Sequence, residues 1–310
     1  MALYLGETVS IVFKTLPFLI LRAAVYLLFG VLLVIYFGII YLVGRAVSEI
    51  SPNAEVIAWG LGLLVSFPLT RLAREYILYL VKAGHVAVIS ALATQGKLPE
   101  GMGQIAYGKK LVTENFKNSS VLFLVDRMVH GVIRVLTRLM MGLTDFLSGV
   151  PGIDGLRKIM HAILYFSFTY IDEAILARKF IHPEETAWKS AHQGLILYAQ
   201  IWRSILLTAL FTGLVALISL PIFLVLTIGP ALGAAALEPQ KKWLFITMGI
   251  IAGFVLKAVL VDPFTMTQMI VVYLKETAGL QPNPEWEQKI EAASSKFVQI
   301  KKNALTIPSA

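Results

Sequence analysis

The chain has 310 residues, is 57% hydrophobic and 15% charged, and carries a formal net charge of +8. Soluble domains hold roughly 45–50% apolar and about 25% charged residues, so the composition excludes an ordinary water-soluble globule. The lack of cysteine excludes disulfides and thiolate metal sites. The basic residues do not interleave with aromatics on a soluble face, which speaks for the positive-inside rule and against a nucleic-acid partner.

Residues 1–22 read as a short interfacial segment with Lys14 and Arg22 at the membrane boundary. The first apolar run follows these basic residues and lacks a small-residue cleavage site, so a retained span is expected rather than a signal peptide. Residues 23–43, AAVYLLFGVLLVIYFGIIYLV, meet the need of a hydrocarbon core for about 20 apolar residues. A turn at Ser51-Pro52-Asn53 leads to a second span over residues 54–68. A helix over 69–94 follows it, carrying Arg71, Arg74, Glu75 and Lys82. Pro68 lacks a backbone donor and clashes with the preceding turn, which predicts a kink or restart near Phe67-Pro68. Residues 96–103 are a loop by composition, and a polar connector runs to Ser120.

Residues 119–182 predict two long apolar helices joined by the turn Gly149-Val150-Pro151-Gly152-Ile153-Asp154. Arg127, His130, Arg134, Arg138 and Asp145 share a stripe on the first helix. Asp154, Lys158, His161, Tyr165, Asp172 and Lys179 share one on the second. Folding about Pro151 brings Asp145 near Arg157 and Lys158, and His130 or Arg134 near Asp172. The expected placement is partial insertion, because each helix is apolar around a charged middle.

His182-Pro183-Glu184-Glu185 then opens a helix, with Pro183 in its first turn and both glutamates at the positive end of its dipole. An amphipathic stretch over 188–202 leads to a third span, 204–229, followed by a small-residue turn over 230–236. A fourth span starts at Trp243, meets Lys257 and Asp262-Pro263, and continues to Lys275. Residues 282–302 predict one amphipathic helix with mixed charge.

The fold class is therefore all-α and integral to the membrane: four transmembrane helices in two hairpins flank a central amphipathic, partly inserted helical hairpin. The divisions are 1–95 (first hairpin with an extended second helix), 96–118 (connector), 119–182 (central hairpin), 183–279 (amphipathic helix and second hairpin) and 280–310 (amphipathic helix and tail). Pro68-Leu69-Thr70…Ala83-Gly84 echoes Pro263-Phe264-Thr265…Ala278-Gly279, which suggests two similar hairpins. Residues 71–203 hold sixteen Lys and Arg against ten Asp and Glu. That bias places both termini in the cytoplasm of a plasma or inner membrane.

Ionisable groups at bilayer depth cost about 2.5–3.5 kcal/mol each and are seldom idle. The residue before proline is pushed from helical geometry. Asp262 is thus expected as an N-cap of a restarted helix, with Lys257, Asp262, Thr265 and Thr267 lining an ion or solute path. The bland alternative is a capping Asp262 at the interface with a snorkelling Lys257. On the central hairpin, Arg127, Arg134, Arg138, His130, His161 and Asp172 join the candidate path. Alternatively, Arg127, Arg134, Arg138, Lys158 and Lys179 contact lipid phosphates. The five histidines form no metal motif, no nucleotide or nucleophile motif occurs, and no cofactor is expected. Gly249 and Gly253 read as helix-packing positions.

Three function classes follow. The first is a channel or transporter for a small, anionic solute, through Pro-broken helices and basic stripes. The second is an oligomeric scaffold that organises lipid. An intramembrane enzyme ranks last, since no nucleophile–base or metal set converges. The expected partners are membrane lipids, a small solute or ion, and further copies of the chain.

Overall fold

A computed structural model describes residues 3–49, 51–116, 125, 128–136 and 170–307, and the regular structure among them is helical throughout. The helices are α1 (Leu5–Lys14), α2 (Leu16–Ser48), α3 (Pro52–Gln95), α4 (Gln104–Phe116), α5 (Ile171–Ile181) and α6 (Ala187–Gln200). They continue as α7 (Trp202–Leu237), α8 (Lys242–Glu276), α9 (Pro284–Ala293) and α10 (Ser295–Thr306), with a further helical segment at 128–136. Among the described residues, four stretches are long and apolar enough to cross a membrane: Leu16–Ser48, Tyr76–Gln95, Trp202–Leu237 and Pro239–Glu276. The protein is a multi-span helical membrane protein.

The chain divides into two compact units, one of residues 17–82 and one of residues 1–16 with 83–310. In the smaller unit α2 and α3 approach closely at Gly62, whose carbonyl accepts a 2.8 Å hydrogen bond from Tyr36 Oη. A Cβ at Gly62 would meet the Ile40 side chain at 2.9 Å, so glycine is what lets the two helices touch. Pro68 lies inside α3, and the helix runs on without a restart. Among the described residues of α3, Tyr76–Gln95 is long and apolar enough to span, and Val56–Ser66, within the stretch read as the second span, is a shorter apolar piece of the same helix.

The larger unit is organised by α7 and α8, antiparallel partners joined through the short 3-10 turn Pro239–Lys241. Both helices change character along their length. From Trp243 (70% exposed) to Leu260, α8 presents apolar side chains outward, whereas residues 266–273 are all fully buried. On α7 the buried positions run from Ser204 to Ala216, and Leu217, Ile218, Ile222 and Val225 beyond them are exposed. The change falls near Ala216 on one helix and Asp262 on the other. It leaves about 20 residues of each helix on the turn side, or about 30 Å at 1.5 Å per residue, the thickness of a hydrocarbon core. Gly249 and Gly253 make the outer packing possible. A Cβ on Gly249 would sit 2.9 Å from Ala231 Cβ and 3.0 Å from Thr227 O, and one on Gly253 2.9 Å from Leu224 Cδ2.

Several boundaries differ from those read in the sequence. Pro263 is interior to α8, and Pro221 and Pro230 are interior to α7, which absorbs the supposed turn at 230–236. A proline forfeits one hydrogen bond, but ending the helix would orphan several carbonyls in a region without water, so continuation is the lesser penalty. His182-Pro183-Glu184-Glu185 is a turn. Helix α6 starts after Thr186, whose Oγ1 accepts from Lys189 N at 3.0 Å. The C-terminal amphipathic stretch is two helices, because Ser294 leaves helical geometry and caps α10 by accepting from Phe297 N. The two halves of the echo share a proline interior to a long helix, Pro68 and Pro263, but differ at their glycines. Gly279, at φ +76°, lies beyond the end of α8, whereas Gly84 is mid-helix in α3.

The buried halves of α7 and α8 continue into a bundle with α1, α5, α6, α9 and α10. Its largest fully buried side chains include Tyr198, Tyr273 and Phe297.

Candidate functional site

The Lys257–Asp262 segment sits where α8 passes from its exposed to its buried half. Lys257 Nζ donates to Asp262 Oδ1 at 2.6 Å, with the two side chains 17% and 23% exposed. Asp262 is therefore an interior helical residue paired with the lysine five positions before it, and the expected N-cap is not formed. The unbroken helix leaves the Asp262 carboxylate no free amide to cap, so the nearest cation takes it.

One turn further on, Thr265, Thr267 and Gln268 are fully buried. Thr267 Oγ1 donates to Pro263 O at 2.7 Å, and Gln268 Nε2 donates to Leu3 O on the chain entering α1. Thr265 Oγ1, Gln268 Oε1 and, on α1, Thr8 Oγ1 have no hydrogen-bond partner among the described residues. An unmet buried polar group typically costs about 1–3 kcal/mol, so three on one packed pair of helices is a signal.

Of the central-hairpin residues, Arg127, Arg138, Lys158 and His161 lie outside the described residues. The segment at 128–136 places His130 Nε2 4.0 Å from Asp172 Oδ2 on α5, and Arg134 is exposed. Lys179 Nζ donates to Pro183 O at 3.0 Å; burial lowers its pKa, against the opposing pull of Glu184 and Glu185. Nothing among the described residues joins these groups to Lys257.

A polar cluster that sequence reasoning missed lies at the α5–α6 turn. Arg178 Nη2 donates to Glu185 Oε1 at 2.8 Å and to Gln193 Oε1 at 2.6 Å, and the charged pair is nearly buried at 12% and 9% exposure. Tyr273 Oη reaches Gly194 O at 3.4 Å, and its ring stacks on Tyr198 at 6.3 Å. The cluster joins α5, α6 and α8. Its one sequence signal was an Arg and a Glu straddling Pro183. His182, Glu184 and Glu185 bring one ligand-type atom each within 4.8 Å of one another. Arg178 already neutralises Glu185, which weakens that trio for a cation.

A second network docks the C-terminal helices. His192 Nε2 lies 3.0 Å from Glu287 Oε1, and Lys301 Nζ bridges Glu287 and Glu291. The His192 ring stacks on Phe297 at 5.1 Å. Burial holds the His192 pKa below its ordinary value, against the attraction of Glu287. At Glu287 burial raises the pKa, but Lys301 and His192 outweigh it and the net shift is downward.

A shallow groove of about 400 Å³ on one face of α7 is lined by Phe211, Leu214, Val215, Ile218, Ser219 and Ile222. Its lining is almost wholly apolar, as suits a lipid chain rather than a charged solute. Comparisons with protein-family models, with curated proteins and with solved structures find no match. What fold and site define together is the class: a polytopic helical membrane protein whose spanning helices run on into a buried, partly polar bundle.

Proposed function

We propose that this membrane protein is a channel or transporter for a small, anionic solute, working as a homo-oligomer. The observation that carries the reading is the run of polar groups on α8 from Lys257 and Asp262 to Thr265, Thr267 and Gln268, two of them with unmet buried oxygens. Hydroxyl and amide groups left unsatisfied at the end of a spanning segment are suited to water or a passing polar solute. The basic stripe that includes the exposed Arg134 supplies the preference for anions. In proteoliposomes loaded with chloride or phosphate, efflux above that of protein-free vesicles is expected. Asp262→Asn, Thr265→Val and Arg134→Ala should change it several-fold while the oligomer survives. Efflux no faster than from empty vesicles, or unchanged in all three variants, sinks the proposal.

A lipid-organising scaffold is the second reading. It is favoured by the mutual neutralisation of Lys257 and Asp262 at the end of the exposed half of α8, which leaves no free charge there for a solute. Phospholipid retained through purification and lost in Arg134→Ala, with no ion flux, would select it.

A further inference from the structure

The turn that joins α5 to α6 gathers three side chains of metal-ligand type. Glu185 N donates to His182 O at 3.1 Å, which closes a four-residue turn with Pro183 in its second place. Proline presets the backbone angle that this place needs, and closure brings the α-carbons of the first and fourth residues within about 7 Å. Those residues are His182 and Glu185, and Glu184 stands third. One short turn thus presents an imidazole and two carboxylates together. His182 Nδ1 lies 3.3 Å from Glu184 Oε1, and one ligand-type atom from each of the three lies within 4.8 Å of the others.

The state of Glu185 separates this trio from an ordinary solvated surface. Its side chain is 9% exposed, against 38% for His182 and 68% for Glu184. Arg178 offsets one of the two negative charges but takes only Oε1, and the same Nη2 is also committed to Gln193. Glu185 Oε2 is buried with no hydrogen-bond partner among the described residues. A carboxylate oxygen left unmet away from water is costly, and a cation is a partner that meets it. Carboxylates that bind metal are themselves held by hydrogen bonds, so the Arg178 contact is also the support that such a ligand needs.

The donor set, one imidazole nitrogen with two carboxylate oxygens, suits zinc and its first-row neighbours, whereas calcium and magnesium take oxygen alone. Tetrahedral bonds of about 2.1 Å put ligand atoms roughly 3.4 Å apart, close to the His182–Glu184 separation. A small closing movement of the turn therefore completes three ligands and leaves the fourth position to water. The turn lies outside the four apolar stretches, where aqueous ions have access.

We propose that His182, Glu184 and Glu185 form a site for a zinc-type divalent cation, whose binding locks the turn between α5 and α6. The inference is independent of the solute path. Lys179 Nζ, donating to Pro183 O at 3.0 Å on the same turn, is a competing positive charge, so Lys179→Met should tighten binding several-fold. The test uses the full chain in detergent, freed of any affinity tag and stripped with chelator, and Zn²⁺ alone as the probe. At a pH where histidine is neutral, calorimetry should show one Zn²⁺ bound per chain. His182→Ala and Glu184→Gln should each weaken that binding by roughly tenfold or more. Both side chains are well exposed, so neither substitution threatens the fold. Zn²⁺ should also slow protease cleavage in the turn of the natural chain and not in that of His182→Ala. No binding by the natural chain overturns the proposal. So does binding of equal strength in both variants, which identifies an adventitious ion only. Neither readout requires flux, so failure here and failure of transport are separable.

Discussion

Lys257 and Asp262 close on each other at 2.6 Å where α8 gives up its exposed surface for a buried one. Five positions apart, they are off the ideal helical spacing of three or four, and the lysine stem must bend along the helix to reach its partner. Each charge is the other's main protection in a poorly hydrated place. Asp262→Asn or Lys257→Met alone should lower the melting temperature in detergent, with a loss of about 1–3 kcal/mol. The Lys257→Met/Asp262→Leu pair should recover part of it. Losses that simply add would show that the pair does not interact.

The close approach of α7 and α8 at Gly249 gives a sharper steric test. Gly249→Val must displace backbone at Thr227 and Ile228 as well as Ala231, and overpacking of this kind costs about 1–3 kcal/mol. Gly233→Ala meets nothing within 4 Å and should be neutral or mildly stabilising. Thermal unfolding of both variants checks the contrast, and equal behaviour would refute the packing.

At the α5–α6 turn, Arg178→Met strands Glu185 and Gln193 in a nearly dry site. A loss of about 3–5 kcal/mol is expected for removing one member of a buried pair. Adding Glu185→Leu should relieve much of this. Proteolysis in the turn around Pro183 is the local readout, increased in the single variant and reduced again in the double.

Acid should loosen the C-terminal helices. His192 and Glu287 both have folded pKa values below their ordinary ones of 6.5 and 4.5. A depressed pKa contributes stability at higher pH that is lost on acidification through the folded value. Protection of the α9 and α10 amides, corrected for the intrinsic exchange rate at each pH, should therefore fall as pH drops below about 6.5 and fall further below about 4.5. His192→Gln should remove the upper part of that change. Protection that is constant from pH 7 to pH 4 contradicts the assignment.

The apolar runs were legible in the sequence because their signal is additive over many residues. The presence of four long apolar helices needed no tertiary information. Helix ends were less legible where proline or small residues stood in lipid-like surroundings. Pro68, Pro230 and Pro263 punctuate helices in water, but apolar surroundings offer a freed carbonyl nothing better than the helix. Thr186 and Ser294 were readable caps, overshadowed by Pro183 and by the charge pattern of residues 282–302. The Arg178–Glu185–Gln193 cluster and the hold of Gln268 on Leu3 could not be read, since both depend on which helices meet. Nothing local in a sequence encodes a separation of 265 positions.

The Glu276 carboxylate receives Tyr4 through one oxygen and Ser204 through the other. These partners lie 272 and 72 positions earlier in the chain. During synthesis α1 therefore lacks this anchor until Glu276, made 272 residues after Tyr4, has left the ribosome. A helix made early is locked in place late, and a ribosome stalled before codon 276 would hold a nascent chain in which α1 is still open to protease.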